Sequence, residues 1–181
     1  MTPILQVKNV TKRYGGLTAN NDISFDVAPQ EILSVIGPNG AGKSTLFKQI
    51  AGFVTPTTGE VIYKGTKISG LPPHKVARMG VVRTFQETTI FKSMTVRENV
   101  KVALQRPNGL ATQFWLPLSS LDRLNARADE LIDTLGLAEY RNHRAADLSY
   151  GRKRVLEIAT TLALDPKVLL LDEPMAGMGQ E

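Results

Sequence analysis

The 181-residue sequence contains no cysteine. A disulfide framework and a thiolate zinc site are therefore both excluded, and the chain suits a reducing compartment. Histidine is nearly absent too: His74 and His143 are assigned to surface or structural roles. No apolar run approaches the about 20 residues needed to cross a bilayer. The longest useful one is the short stretch 168–171. The N-terminus, MTPILQVKNVTKRYGG, lacks the apolar centre of a signal peptide. The chain is expected to be soluble, or attached to a membrane only through a partner. No internal repeat or low-complexity tract is visible. The basic residues are scattered, without a long run or interleaved aromatics, so a nucleic-acid groove is a minor reading.

What is present is an ordinary globular balance of 42% hydrophobic and 22% charged residues, which argues against disorder. The length allows one sizeable domain, or two small lobes sharing a core. A net charge of +5 hints at an anionic partner such as a nucleotide, a nucleic acid or an anionic membrane surface.

Apolar periodicity predicts strands over 4–10, 23–27, 32–36, 60–63, 81–85 and 168–171. In the first, Ile4, Gln6 and Lys8 alternate against Leu5, Val7 and Asn9. In the second, Ile23, Phe25 and Val27 share a face. Helices are predicted from Lys43 to Ala51 with Gly52 as the stop, after Pro72 and Pro73, and through Leu124, Ala128, Leu131 and Leu135 up to Gly136. Thr95-Val-Arg-Glu98 reads as a capping box. The aromatic cluster around Trp115 is expected to pack inside a helical lobe rather than form a docking patch. The order is that of an α/β core carrying an inserted helical lobe.

Two stretches carry chemistry. Gly37-Pro-Asn-Gly-Ala-Gly-Lys-Ser44 fits G-x-x-x-x-G-K-[ST] and has the required setting, after an apolar strand and at the opening of a helix. Its glycines let backbone N–H groups curl round a phosphate, and the helix N-terminus adds positive potential. Lys43 supplies a point charge to the terminal phosphates, and the Ser44 hydroxyl suits Mg²⁺. Val168-Leu-Leu-Leu-Asp172-Glu173 is the natural second half: a strand buried on both faces, ending in two acids where a parallel sheet binds ligands. Asp172 can hold Mg²⁺ through its water shell, and Glu173 can polarise an attacking water. Alone, such a pair is more often solvated; beside a phosphate loop that reading loses its force.

GPNGAGKST, Gln86, LSYGRKR and LLLDEP, in this order, resemble the nucleotide-binding subunit of ABC transporters over nearly the whole chain. The run from LPPHKVARMGVVRTFQ through TVRENV, with LSYG and EPMAGM, looks like the branched-chain amino-acid importer group. The resemblance implies an α/β P-loop NTPase core of ABC type with an N-terminal antiparallel β part and an inserted helical lobe. Residues 1–85 and 155–181 would form the nucleotide-binding core and 86–154 the signature lobe of a single domain, 1–181. Tyr14 would stack on adenine. Gly37, Pro38, Asn39, Gly40, Ala41, Gly42, Lys43, Ser44 and Thr45 would bind the phosphates. Gln86 would reach Mg²⁺ and the water, and Asp172 and Glu173 would be the metal-side acid and the catalytic base. Leu148, Ser149, Tyr150, Gly151 and Arg152 match the signature, written LSGGQ in the family, which covers ATP held by a second copy facing head to tail.

The implied ligands are ATP and Mg²⁺. The implied partners are a second ATP-binding subunit, transmembrane permease subunits and, indirectly, a substrate-binding protein, with no nucleic acid. The implied location is the cytoplasmic face of the cell membrane. Lipid export, action on nucleic acid or ribosomes, and a non-catalytic binding fragment are the alternatives.

The signature helix poses a question of its own. Arg152, Lys153 and Arg154 crowd its first turn, where the helix dipole disfavours cations. They would suit a phosphate arriving from the partner, or splay into water as solubilising charges. Three departures from the family pattern carry expectations. Tyr150 and Arg152 replace glycine and glutamine in the signature. Gly179 fills a position the family gives to aspartate. The chain stops eight residues past Glu173, short of the family's switch histidine. The chain is thus expected to be truncated, binding nucleotide with weak or absent turnover.

Overall fold

The computed structural model describes residues 2–84, 90–113, 115 and 117–172. They fall into two compact units, one of 2–83 with 167–172, the other of 84–166. The boundary drawn from the sequence at 154/155 cuts the last helix of the second unit. Leu156, Ala159 and Ala163, beyond that cut, belong to the helical core.

In the first unit, β1 (Leu5–Tyr14) and β2 (Leu17–Val27) form an antiparallel hairpin closed at Tyr14 and Leu17 by two glycines. On its other edge β1 pairs antiparallel with β3 (Thr58–Tyr63), which in turn pairs with the two-residue β4 (Thr66–Lys67). The even alternation expected along β1 does not hold. Leu5 and Val7 point inward, but a register shift between Val7 and Val10 intervenes, with Asn9 at φ 49. Asn9 is exposed, and Val10 takes the inward place. The extra residue of a bulge resets a period of two. Asn9 suits that position, because its amide donates to Asp22 Oδ1 at 2.8 Å while its backbone N–H donates to Ser24 Oγ at 2.8 Å.

Helix α1 (Lys43–Ile50) buries Leu46 and Ile50 in this unit, and Gly52 follows at φ 81 as the expected stop. Helix α2 (Pro73–Met79) starts on Pro73 and ends at Gly80, φ 107. The Gly80 carbonyl accepts the N–H groups of Lys167 and Val168, at 2.8 and 3.0 Å. That junction sets the register of β5 (Val81–Arg83) against β6 (Val168–Leu170), a parallel pair with Val81 opposite Val168 and Arg83 opposite Leu170.

The strand expected over 32–36 is not formed. The segment runs without a ladder, and Ile32 and Ile36 are 95% and 93% exposed. It flanks an apolar cleft of about 390 Å³ lined by Phe25, Val27, Leu33, Val35 and Leu169, among others. A central parallel strand is stable when hydrogen-bonded on both edges and covered on both faces. Among the described residues the parallel sheet ends at β6. Accordingly Leu170 is buried, while Leu171 is 39% exposed rather than enclosed on both faces.

The second unit is helical. Helix α3 (Val96–Gln105) presents Val96, Val100 and Leu104 at i, i+4 and i+8, each buried. Helix α4 (Asn125–Thr134) adds Ala128, Leu131 and Ile132, and α5 (Tyr150–Leu162) adds Leu156 and Ala159. Each buried Val or Leu contributes about 1.5–3 kcal/mol relative to exposure. Trp115 is not part of this core: it stands 68% exposed, the interior being filled by the residues above. An Arg97–Asp129 fork, with both contacts at 2.8 Å, ties α3 to α4.

The predicted capping box is present. Glu98 N–H donates to Thr95 Oγ1 at 3.2 Å, and Thr95 N–H donates to Glu98 Oε2 at 2.7 Å. Hydrogen bonds from the Thr95 backbone, then from its hydroxyl, hold the Glu98 carboxyl below the usual glutamate range. A carboxyl depressed in the folded state stabilises above its unfolded value and loses that contribution as pH falls through the folded one. Thermal unfolding followed against pH should therefore show an acid-dependent component below the ordinary glutamate range that Glu98→Gln removes. Thr95→Ala should cost about 1 kcal/mol at neutral pH. An unchanged acid profile in Glu98→Gln would show that the box contributes nothing to the titration.

Candidate functional site

The loop 37–45 leads into α1 inside the first unit. Gly42 precedes the helix at φ 89, in the left-handed region. A Cβ at Gly42 would lie 2.1 Å from the Ala19 carbonyl oxygen and 2.7 Å from Asn20 Nδ2, so only glycine fits the approach to β2. Asn20 Nδ2 donates to the Gly42 carbonyl at 3.1 Å, and Asn20 Oδ1 accepts from Gln49 Nε2 at 2.7 Å. Both side chains are buried, Asn20 at 4% exposure and Gln49 at none. They clamp the loop between strand and helix.

The first turn of α1 has no acidic residue and no side-chain cap. Its leading N–H groups thus remain available to an anion, reinforced by the helix dipole. The Lys43 ammonium bonds the loop's own carbonyls, those of Gly37 and of Pro38, the latter at 2.7 Å. A phosphate entering the loop would compete for that cation with neutral acceptors, and charge-assisted bonds are the stronger.

Asp172, which follows β6 after one residue, is brought to the start of α1. Ser44 Oγ lies 3.4 Å from Asp172 Oδ1, although 128 positions separate the two in sequence. Arg83 Nη2 donates to Asp172 Oδ2 at 2.7 Å, and the two side chains are only 7% and 3% exposed. A hydroxyl and a carboxylate oxygen in one place are hard donors. They fit Mg²⁺, which takes one or two protein oxygens and fills its octahedron with water and phosphate. Tyr14 closes β1 at the hairpin turn, half exposed, with the Lys12 ammonium 5.0 Å from its ring centre.

In the second unit, Ser149 is the N-cap of α5, its hydroxyl accepting the Arg152 N–H at 3.5 Å. Leu148 is buried and Tyr150 is 61% exposed. Gly151 has ordinary helical φ, and a Cβ there would meet nothing within 4 Å among the described residues. Two of the three crowded cations are led aside. The Arg152 guanidinium stacks on Tyr140, 4.2 Å from the ring centre. Arg154 neither faces a phosphate nor splays into water; it is buried and paired with Glu157 at 2.8 Å. The i, i+3 spacing to a glutamate on the apolar face explains that inward turn. His74 and His143 are exposed, as expected. Gln86, Glu173 and Gly179 lie outside the described residues.

Three residues escape a reading of motifs. Arg83 could have been suspected, since a charge ending the apolar run Val81-Val82 must find a partner if that strand is buried. Asn20 and Gln49 carry no such signal, because neither is unusual in its local sequence.

A family model described as "ABC transporter" matches residues 20–176. The chain is 43% identical over 182 residues to the high-affinity branched-chain amino acid transport ATP-binding protein LivG of Escherichia coli (strain K12), covering 97% of this chain and 71% of LivG. It is 44% identical to BraF of Pseudomonas aeruginosa, described in the same words, at the same coverage. It is 36% identical to the lipopolysaccharide export system ATP-binding protein LptB of Acidithiobacillus ferridurans, covering 98% of this chain and 70% of LptB. Among solved structures, the ADP conformation of MJ1267, an ATP-binding cassette of an ABC transporter, superposes with a TM-score of 0.81 at 30% identity, over 99% of this chain and 72% of that one. A glycine-rich loop leading into α1, an acid brought beside it after β6, and a family match spanning both lead to one conclusion: this chain belongs to the ABC transporter family of ATP-binding subunits, whose members couple ATP hydrolysis to transport.

Proposed function

We propose that the chain is the ATP-binding and hydrolysing subunit of an importer for branched-chain or related amino acids, working at the cytoplasmic face of a membrane with permease subunits and a substrate-binding protein. The observation that carries the site is the convergence of Ser44 and Asp172 beside the open first turn of α1. Higher identity to LivG and BraF than to LptB favours amino-acid import over lipid export.

In this reading the unit of 2–83 with 167–172 serves the nucleotide and the helical unit of 84–166 carries the signature. Residues 37–45 enclose the phosphates, Lys43 exchanging the Gly37 and Pro38 carbonyls for phosphate oxygens, while Tyr14 offers its exposed ring to adenine. Ser44 and Asp172, with Gln86, would hold Mg²⁺, which neutralises charge on the phosphates when bound. Glu173 accepts a proton from water as the water oxygen bonds to the γ-phosphorus. The bond from that phosphorus to the bridging oxygen breaks, and ADP and phosphate leave.

The signature acts on the nucleotide of a second copy. Gly151 supports that assignment. Neither its backbone angles nor its neighbours require a glycine in this chain, so the open space is kept for something approaching from outside. With Arg152 drawn to Tyr140 and Arg154 to Glu157, the N–H groups at the start of α5 are left to meet a γ-phosphate.

Lys43→Ala should weaken Mg·ATP binding, measured by calorimetry, by about 1.5–3 kcal/mol, the worth of a charge-assisted contact. Undiminished affinity would remove the phosphate loop from the site. In a Glu173→Gln background, ATP should shift the chain from monomer to dimer in sedimentation. Gly151→Asp should abolish that shift while leaving the thermal midpoint unchanged or slightly raised, because an acid in the first turn suits the helix dipole, by about 0.3–1 kcal/mol. An ATP-dependent dimer that tolerates Gly151→Asp would exclude the facing signature.

A further inference from the structure

We propose that Arg83 is a positioning residue for the divalent cation: its guanidinium holds Asp172 by one carboxylate oxygen so that the other is presented to Ser44. The inference rests on the reading of Ser44 and Asp172 as the magnesium-side pair.

Three observations carry it. First, the pairing divides the carboxylate. Arg83 Nη2 donates to Oδ2 at 2.7 Å, and Ser44 Oγ approaches Oδ1 at 3.4 Å. A two-pronged Arg–carboxylate fork would occupy both oxygens, as Arg97 does with Asp129. Here one oxygen is gripped and the other is aimed.

Second, this choice is not the most stabilising one available. Arg83 Nε is buried and finds no acceptor among the described residues. A pair selected for stability alone would satisfy that donor. Third, the strand register fixes where the guanidinium sits. Arg83 is opposite Leu170, and Asp172 lies two residues further along. The guanidinium is therefore placed by the β5–β6 pairing, within which Arg83 is the last residue, rather than by a loop. A partner that orients a metal-binding carboxylate in this way acts as an outer-shell group, and losing it weakens metal binding.

Arg83→Lys isolates the geometry, since lysine keeps the charge and loses the planar fork. In the full chain, ATP affinity is measured by calorimetry twice, with Mg²⁺ and with EDTA. Arg83→Lys is expected to lower the gain in affinity conferred by Mg²⁺ about tenfold, with metal-free ATP affinity within about twofold of the parent. A purely structural pair would lower both affinities together, and an idle one would lower neither; each result overturns the proposal. Asp172→Asn separates the underlying reading. If it leaves the Mg²⁺ gain intact, Asp172 is not the metal-side acid and the proposal falls with it. If it removes the gain while Arg83→Lys does not, Arg83 alone is misassigned. Should Arg83→Lys fail to fold, Arg83→Gln is measured the same way, with the same tenfold loss expected. If neither variant folds, the pair serves stability alone and the proposal is overturned.

Discussion

The carboxylate of Asp172 has almost no access to water, and the strand beside it is arranged to tolerate it there. An unpaired ion at that depth would cost several kcal/mol, and removing one member of a buried pair typically costs about 3–5 kcal/mol. Arg83 answers the charge from the adjacent strand. The consequence reaches beyond the two side chains. β5 and β6 are three residues each, too short to hold a register firmly by ladder bonds alone. A buried ion pair between the last residue of β5 and a residue two past Leu170 penalises any slip, because a one-residue shift would turn one partner to the opposite face. The Gly80 carbonyl, accepting two N–H groups at the other end, closes the same register from below.

A similar logic holds the loop itself. On the proposed reading the backbone of 37–42 receives an anion, so its lasting support has to come from outside its own concavity. The structure supports it from behind instead, through the Asn20–Gln49 pair and through the close seating of Gly42 against β2. Lys43 rests on the loop's carbonyls from within. On that reading the supports behind the loop need not change when a phosphate enters, whereas the Lys43 contacts within it would. Rigidity and responsiveness are thereby assigned to different residues.

The difference between what was legible in the sequence and what was not follows the range of the interactions. The capping box at Thr95 and Glu98, the stops at Gly52 and Gly136, and the first turn of α2 were readable because each is decided within about one helical turn. The glycine-rich pattern at 37–44 was readable from residue types and spacing, although the contact that demands glycine at 42 comes from Ala19 and Asn20 in β2. The bulge at Asn9 was not, since it depends on pairing with β2. Neither was the inward turn of Arg154, which a count of cations near a helix start cannot foresee. The segment 32–36 shows the same limit from the other side. Its apolar pattern is compatible with a buried strand, but a strand exists only where neighbours complete its ladder.

Those cations at the start of α5 also bear on how an anion site can be built from a basic segment. Placed freely, three positive charges would raise the potential at the helix N-terminus but would also cover it with long, strongly solvated side chains. Stacking Arg152 on Tyr140 and burying Arg154 against Glu157 moves two of them off the axis. The Glu157 carboxylate compensates Arg154 nearly one turn further on, so it does not oppose the dipole at the first N–H groups. What faces outward at Ser149 and Gly151 is then mostly backbone, a short and directional set of donors. On the proposed reading, a site made of backbone donors discriminates by geometry, and the guanidinium stacked on Tyr140 adds its field to it.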